Sequence, residues 1–185
     1  MCAQTNVQNV NSIQFGSGKF EISTDGVEWT DLGAMRNIVF TETFDKVVIK
    51  SDNAGDIKSL IKNHQASLSG DLLEISLKNL NVIRGGIDSY SEVLGVSETL
   101  KTGGLATIDA IQARVINTNE RNEIFRITII KGTNNKGIEL TFNPDDADEP
   151  NSINIEILGT CDVDKTEGEQ LFELYNEQGI GGVNS

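Results

Sequence analysis

The chain has 185 residues, with 28 acidic against 15 basic side chains and a formal net charge of −13. That length suits one domain and supports a core without disulfides or a metal, while so acidic a balance disfavours tight binding to nucleic acid or to anionic lipid. The two cysteines, Cys2 and Cys161, are too few and too far apart for a disulfide framework or a zinc site.

Eighteen glycines against two prolines favour many tight turns and long stretches free to donate backbone hydrogen bonds to a sheet. No apolar run approaches the roughly 20 residues of a membrane span. The opening Met1–Asn6 lacks the basic end and apolar stretch of a signal peptide. The expectation is a soluble protein made in a reducing cytoplasm, with no membrane partner.

In chain order, residues 1–14 are polar and rich in Asn and Gln, and read as a loose arm. Phe20 and Ile22 alternate with Glu21 and Ser23 as a strand, Asp25-Gly26 marks a hairpin turn, and Trp29 to Leu32 returns. Two further strands are predicted around Ile38-Val39-Phe40 and Val47-Val48-Ile49, the second ending in the turn residues Ser51 to Gly55. Ile57 to Gln65 alternates poorly, so Val47 to Gln65 reads as a long ribbon with no good core face. Two strands alone in water are marginal, which implies support from outside its own domain. Ser67 to Leu73 is the next strand. Ser76 then offers an N-cap for a short helix carrying Leu77, Leu80 and Ile83, stopped by Gly85-Gly86. Residues 87–104, rich in Ser and Gly, read as a loop.

The last third alternates most clearly. Ile111, Ala113 and Val115 form one run, and Phe125, Ile127 and Ile129 a second. A turn over Gly132 to Gly137 leads to Ile138, Leu140 and Phe142, and after the acidic loop Asp145 to Glu149 come Ile153, Ile155 and Ile157. Successive alternating runs at hairpin spacing predict an antiparallel sheet with one buried and one wet face. Seven to nine strands with one short flanking helix place the fold in the mainly β class, as an antiparallel sandwich or small barrel. The expected organisation is an arm over 1–14, one β domain over 15–176 and a tail over 177–185.

Chemistry finds little foothold. The single histidine, His64, has no nucleophile motif nearby and reads as a surface residue. The acidic loop Asp145 to Glu149 and the cluster Asp162, Asp164, Glu167 and Glu169 lack the spacing of a calcium loop. Trp29, Tyr90 and Tyr175 are too scattered along the chain for a sugar platform. Neither phosphate-cradling glycine motifs nor basic patches interleaved with aromatics occur. No enzyme activity, metal or cofactor is expected.

Four stretches carry a resemblance. They are Gly18 to Gly26 with Trp29 to Gly33, Val48 to Gly55 running into Ile61 to His64, Asp71 to Glu74 leading through Leu80 to Arg84-Gly85-Gly86, and Gly168 to Phe172. In this order the chain resembles the major tail tube protein of long-tailed, siphovirus-type bacteriophages and related phage-like tubes. The resemblance implies a β-sandwich or barrel with a flanking helix and a long hairpin. Six copies would form a ring, their inner strands closing into one barrel, and rings would stack into a tube through which DNA passes without tight binding. It implies a virion protein of the tail, made in the host bacterial cytoplasm, with tail tip, tape measure and terminator proteins as further partners. The ribbon would then reach a neighbouring subunit through Val47, Ile49, Asn53, Ile57, Leu60, Ile61 and His64. Residues 1–14 and 87–104 match nothing in that pattern. The alternative is a β-sandwich binding module recognising carbohydrate or protein.

Overall fold

The first strand, β1 (Lys19–Ser23), turns at Asp25-Gly26 into the short β2 (Thr30–Asp31). Asp25 makes that turn: its carboxylate accepts the N–H groups of Val27 at 2.8 Å and Glu28 at 2.9 Å, and Gly26 supplies a φ of 75°. Those backbone bonds hold the Asp25 carboxyl below its usual range. The computed structural model describes residues 18–105, 107–119, 122–140 and 150–177. The arm over 1–14, the tail beyond Glu177 and the acidic loop Asp145 to Glu149 lie outside them.

Next come β3 (Met35–Ser51) and β4 (Gly55–Leu72), strands of 17 and 18 residues. Each was expected as two pieces, Ile38–Phe40 with Val47–Ile49 and then Ile57–Gln65 with Ser67–Leu73. They are continuous because the pairing of β3 with β4 runs from Met35↔Leu72 to Ser51↔Gly55, and bulges absorb the breaks in alternation. Helix α1 (Leu77–Ile83) starts at Ser76, whose Oγ accepts the N–H of Asn79, and buries Leu80 and Ile83. It ends as Gly85 takes a φ of 64° and donates its N–H to the Val82 carbonyl.

Residues 87–104, expected as a loop, contain the hairpin β5 (Ser89–Val93) and β6 (Ser97–Lys101). Its serines and glycine suppress the hydrophobic signal, and cross-strand backbone bonds form regardless. Strands β7 (Ile111–Thr118), β8 (Ile124–Asn134), β9 (Ile153–Gly159) and β10 (Phe172–Asn176) complete the fold. The expected turn at Gly132 begins too early, since Gly132, Thr133 and Asn134 still pair with β9. Of the run Ile138, Leu140 and Phe142, Leu140 forms an isolated bridge with Ile153, and Phe142 lies outside the described residues. Strand β10 was not expected; its exposed Glu173 and Leu174 hide the alternation.

Ten strands and one helix are thus present among the described residues, against the seven to nine strands expected. The main sheet is antiparallel, in the order β2-β1-β7-β8-β9-β4-β3, with β10 also on β8. The fold is mainly β, as the alternation predicted, with the one short helix expected from its Ser76 cap and a long hairpin where the coreless ribbon was expected. Strand β8 is the branch point. Its residues Phe125–Ile129 pair with β10, whereas Gly132–Asn134 pair with β9 along the same edge. The sheet therefore divides into two leaves that share one core. Phe20, Ile22, Ala113 and Ile129 come from one leaf, Leu68, Leu72, Ile155 and Ile157 from the other, and all are buried. Each buried Phe, Ile or Leu among them contributes about 1.5–3 kcal/mol by leaving water.

The branch depends on close backbone approach. Gly132 faces Gly159 in register. A Cβ at Gly132 would lie 2.8 Å from Ile157 Cγ2 and 3.0 Å from the Leu158 carbonyl oxygen. Gly132→Ala should therefore cost about 1–3 kcal/mol through overpacking, read as a lower urea midpoint; an unchanged midpoint would show that β9 can move aside.

Candidate assembly interface

Strand β4 pairs with β9 only from Ser67 to Leu72. From Gly55 to Ala66 its sole strand partner among the described residues is β3, and from Gly55 to Asn63 the hairpin runs on past the sheet by roughly 30 Å at about 3.3 Å per residue. Strand β3 also ends the sheet order, leaving its outer backbone edge unpaired among the described strands. The free ribbon is not polar. Ile49, Ile57 and Ile61 are 44%, 61% and 57% exposed, and Val47, Val48 and Leu60 are half-buried.

Register sorts these side chains. Asp45↔Lys62, Val47↔Leu60 and Ile49↔Lys58 share one face, an apolar centre with a lysine at each end. Lys46↔Ile61 and Val48↔Ser59 share the other. Ile57 falls at the bulge between Ile49↔Lys58 and Lys50↔Asp56, and Asn53 sits in the end turn, accepting the Ser51 hydroxyl. Of the residues expected at the interface, all but His64 therefore lie along the outer ribbon. From Asp45 to Lys62 four lysines face Asp45, Asp52 and Asp56, leaving that stretch slightly positive on a chain of −13.

His64 belongs to the root of the hairpin. Its ring lies 6.1 Å from Phe172 and 6.0 Å from Phe44, both edge-on, and Nε2 is 2.7 Å from a Glu42 carboxylate oxygen. Phe172 also meets Phe40 edge-to-face at 5.1 Å. The first residue of β10 thus clamps both strands where they leave the core.

Two bulges near the root place asparagines in the left-handed region, Asn37 at φ 53° and Asn63 at φ 51°. Each amide then reaches an aspartate on the partner strand at 2.7 Å: Asn37 to Asp71, and Asn63 to Asp45. Asp71 also accepts from Asn154 at 2.8 Å. The Asn154 and Asn37 amides, with the positive charge of Arg36, hold the Asp71 carboxyl below its usual range.

A second surface lies on the wet face of the other leaf. Glu21, Arg114, Thr128 and Glu173 form a cross-strand row. Arg114 donates from Nε at 2.6 Å to Glu21 and lies 3.9 Å over the Trp29 ring, while Arg126 pairs with Glu173 at 3.0 Å and lies 4.7 Å over Tyr175. Burial opposes ionisation of Glu21, yet the hydrogen bonds of Lys19 and Arg114 carry its carboxyl below the usual range. The cleft beside this row, about 420 Å³, is lined by Trp29, Gln112, Arg114, Arg126, Lys165 and Glu173. Folding thus gathers Trp29 and Tyr175, which the sequence left scattered. No group of three or more His, Cys, Asp or Glu among the described residues is arranged to hold a metal.

No family model and no curated protein sequence matches the chain. Among solved structures, a chain of the anti-feeding prophage cap, the tube terminating cap, superposes with a TM-score of 0.54 at 10% identity, covering 94% of this chain and 99% of that one. The fold is shared with a prophage tube cap. A chain of the anti-feeding prophage baseplate reaches a TM-score of 0.42 at 10% identity over 89% and 96% of the two chains, too low to count towards the fold.

Asp71 yields a pH prediction for the hairpin root. A depressed carboxyl stabilises the native state above its unfolded value, near 3.9, and that contribution is lost as pH falls through the folded value. Asp71→Asn should lower the urea-derived stability at pH 7 by about 1 kcal/mol, and the difference from the parent should shrink steadily below about pH 4. A difference independent of pH would show that the aspartate acts through packing instead.

Proposed function

We propose that this chain is a structural subunit of a phage or phage-like tail tube, acting by assembly with no turnover and no cofactor. The observation that carries this reading is the β3–β4 hairpin. It projects beyond its own sheet with apolar side chains on both faces and an open backbone edge, neither of which one copy can bury. The likeness of fold to a chain of the tube terminating cap, over nearly the whole of both chains, supports the same reading.

In this reading copies form rings, six to a ring as in the tail tubes the sequence resembles, and the rings stack into a conduit. Pairing along β3 removes the exposed edge, and the hairpin covers its apolar faces on a neighbour. An acidic bore lets DNA slide past without adhering. Tail tip, tape measure and terminator proteins are the further partners, and the protein belongs to the virion tail after synthesis in the bacterial cytoplasm.

The rival reading, a module binding carbohydrate or protein, draws on the cleft flanked by Trp29 and Arg114. A glycan-array signal lost in Trp29→Ala, from a protein that stays monomeric, would favour it.

Negative-stain microscopy beside size-exclusion chromatography over a range of concentrations tests the tube reading. Rings or hollow tubes are expected, abolished by the combination Ile49→Ala, Ile57→Ala and Ile61→Ala with little change in melting temperature, since these side chains are exposed. A triple variant that unfolds would place the ribbon in the domain's own core, and a parent chain that stays monomeric even with tail-tip proteins added would refute the reading.

A further inference from the structure

The β5–β6 hairpin stands apart from the main sheet and pairs with no other strand among the described residues. Its root is firm. Arg84 pairs with Asp88, whose side chain is fully buried, and donates to the Thr102 hydroxyl at 2.9 Å, while Leu100 packs on the core. Its tip is the reverse of what water favours. Val93, Leu94 and Val96 are 59%, 87% and 79% exposed around the turn, which closes with Val96 donating to the Val93 carbonyl at 2.8 Å. A hairpin ending in three exposed aliphatic side chains is a plug without a socket among the described residues.

Charge says which socket fits. Glu92 and Glu98 stand directly opposite each other in register beside the tip. Like charges so placed destabilise a hairpin, and neither has an ion-pair partner among the described residues. The Tyr90 hydroxyl donates to Glu92 at 3.3 Å, and partial desolvation followed by the two carboxylates pushes this phenol up. An acidic pair beside an apolar tip is repelled by anionic lipid and suits an apolar surface edged with cations. The ribbon face of Val47, Ile49 and Leu60 is such a surface, with Lys58 at one end and Lys62, opposite Asp45, at the other, and neither lysine has an ion pair within 4 Å among the described residues.

We propose that the β5–β6 tip of one copy seats on the β3–β4 ribbon of the next, with Glu92 and Glu98 meeting Lys58 and Lys62. The proposal rests on the tube-subunit reading and deepens it by naming the two surfaces that meet. Because plug and socket lie on different parts of one chain, the contact is head-to-tail and propagates to a ring or a filament rather than stopping at a dimer.

Charge reversal in the full-length chain tests this, with assembly followed by sedimentation velocity and microscopy. The pair Glu92→Lys with Glu98→Lys should raise the concentration needed for assembly about tenfold or more, as should Lys58→Glu with Lys62→Glu. A chain carrying all four should assemble again, because every contact then pairs reversed with reversed charges. Leu94→Asp, at an exposed position that leaves folding intact, should stop assembly at an unchanged melting temperature. A parent chain that assembles while Leu94→Asp or either reversal assembles equally well overturns the pairing alone, and points the tip to a different protein. Failure of the fourfold variant to assemble, while folded, does the same. A parent chain that stays monomeric even with tail-tip proteins added overturns the tube reading and the pairing together.

Discussion

The structure turns on the six-residue pairing of β4 with β9, from Ser67↔Leu158 to Leu72↔Ile153. Through it the inner third of one strand becomes core, with Ala66, Leu68 and Leu72 buried, while the rest of the same strand is carried outward with only β3 beside it. A two-stranded ribbon is marginal alone. Here it grows from a root whose apolar burial amounts to several kcal/mol. The bulges at Asn37 and Asn63 and the Phe172 clamp aim it.

The same arrangement separates the core from the exposed apolar surface. Side chains that hold the fold together are on the shared core of the two leaves, and exposed aliphatic side chains gather on the outer ribbon and the β5–β6 tip. Charge follows the division: the ribbon is net positive while the chain as a whole is strongly negative. In the proposed assembly a basic projection would lower the repulsion between acidic bodies in one relative orientation. The wet face of the other leaf is built differently. There the arginines are matched by Glu21 and Glu173 and covered by Trp29 and Tyr175, so its charges are largely satisfied within the chain.

Much of this was legible in the residues. Alternation at Phe20–Ile22, Ile111–Val115, Phe125–Ile129 and Ile153–Ile157 marked strands with one buried face, and Ser76 with Gly85-Gly86 bounded the helix. The poor core face of Val47 to Gln65 marked the ribbon that the structure displays as the outer part of the β3–β4 hairpin. The readings that failed share a cause. The continuity of β3 and β4 rests on bulges that scramble alternation, and β5, β6 and β10 are held by backbone pairing with little burial. Hydropathy reports burial, and these strands have little to report.

The sequence by itself determined the class: an acidic, glycine-rich, antiparallel β protein with one short helix and a ribbon lacking a core. Those properties follow from local periodicity and turn chemistry, which neighbouring residues settle among themselves. Only the tertiary structure decided that β8 divides the sheet, that Phe172 clamps the hairpin root, and that Trp29 and Tyr175 share a face with Arg114 and Arg126. It also decided that Glu92 opposes Glu98 beside an apolar tip, and that Lys58 and Lys62 bracket an apolar one. Each of these depends on pairing register, and a slip of one residue sends every side chain of a strand to the opposite face.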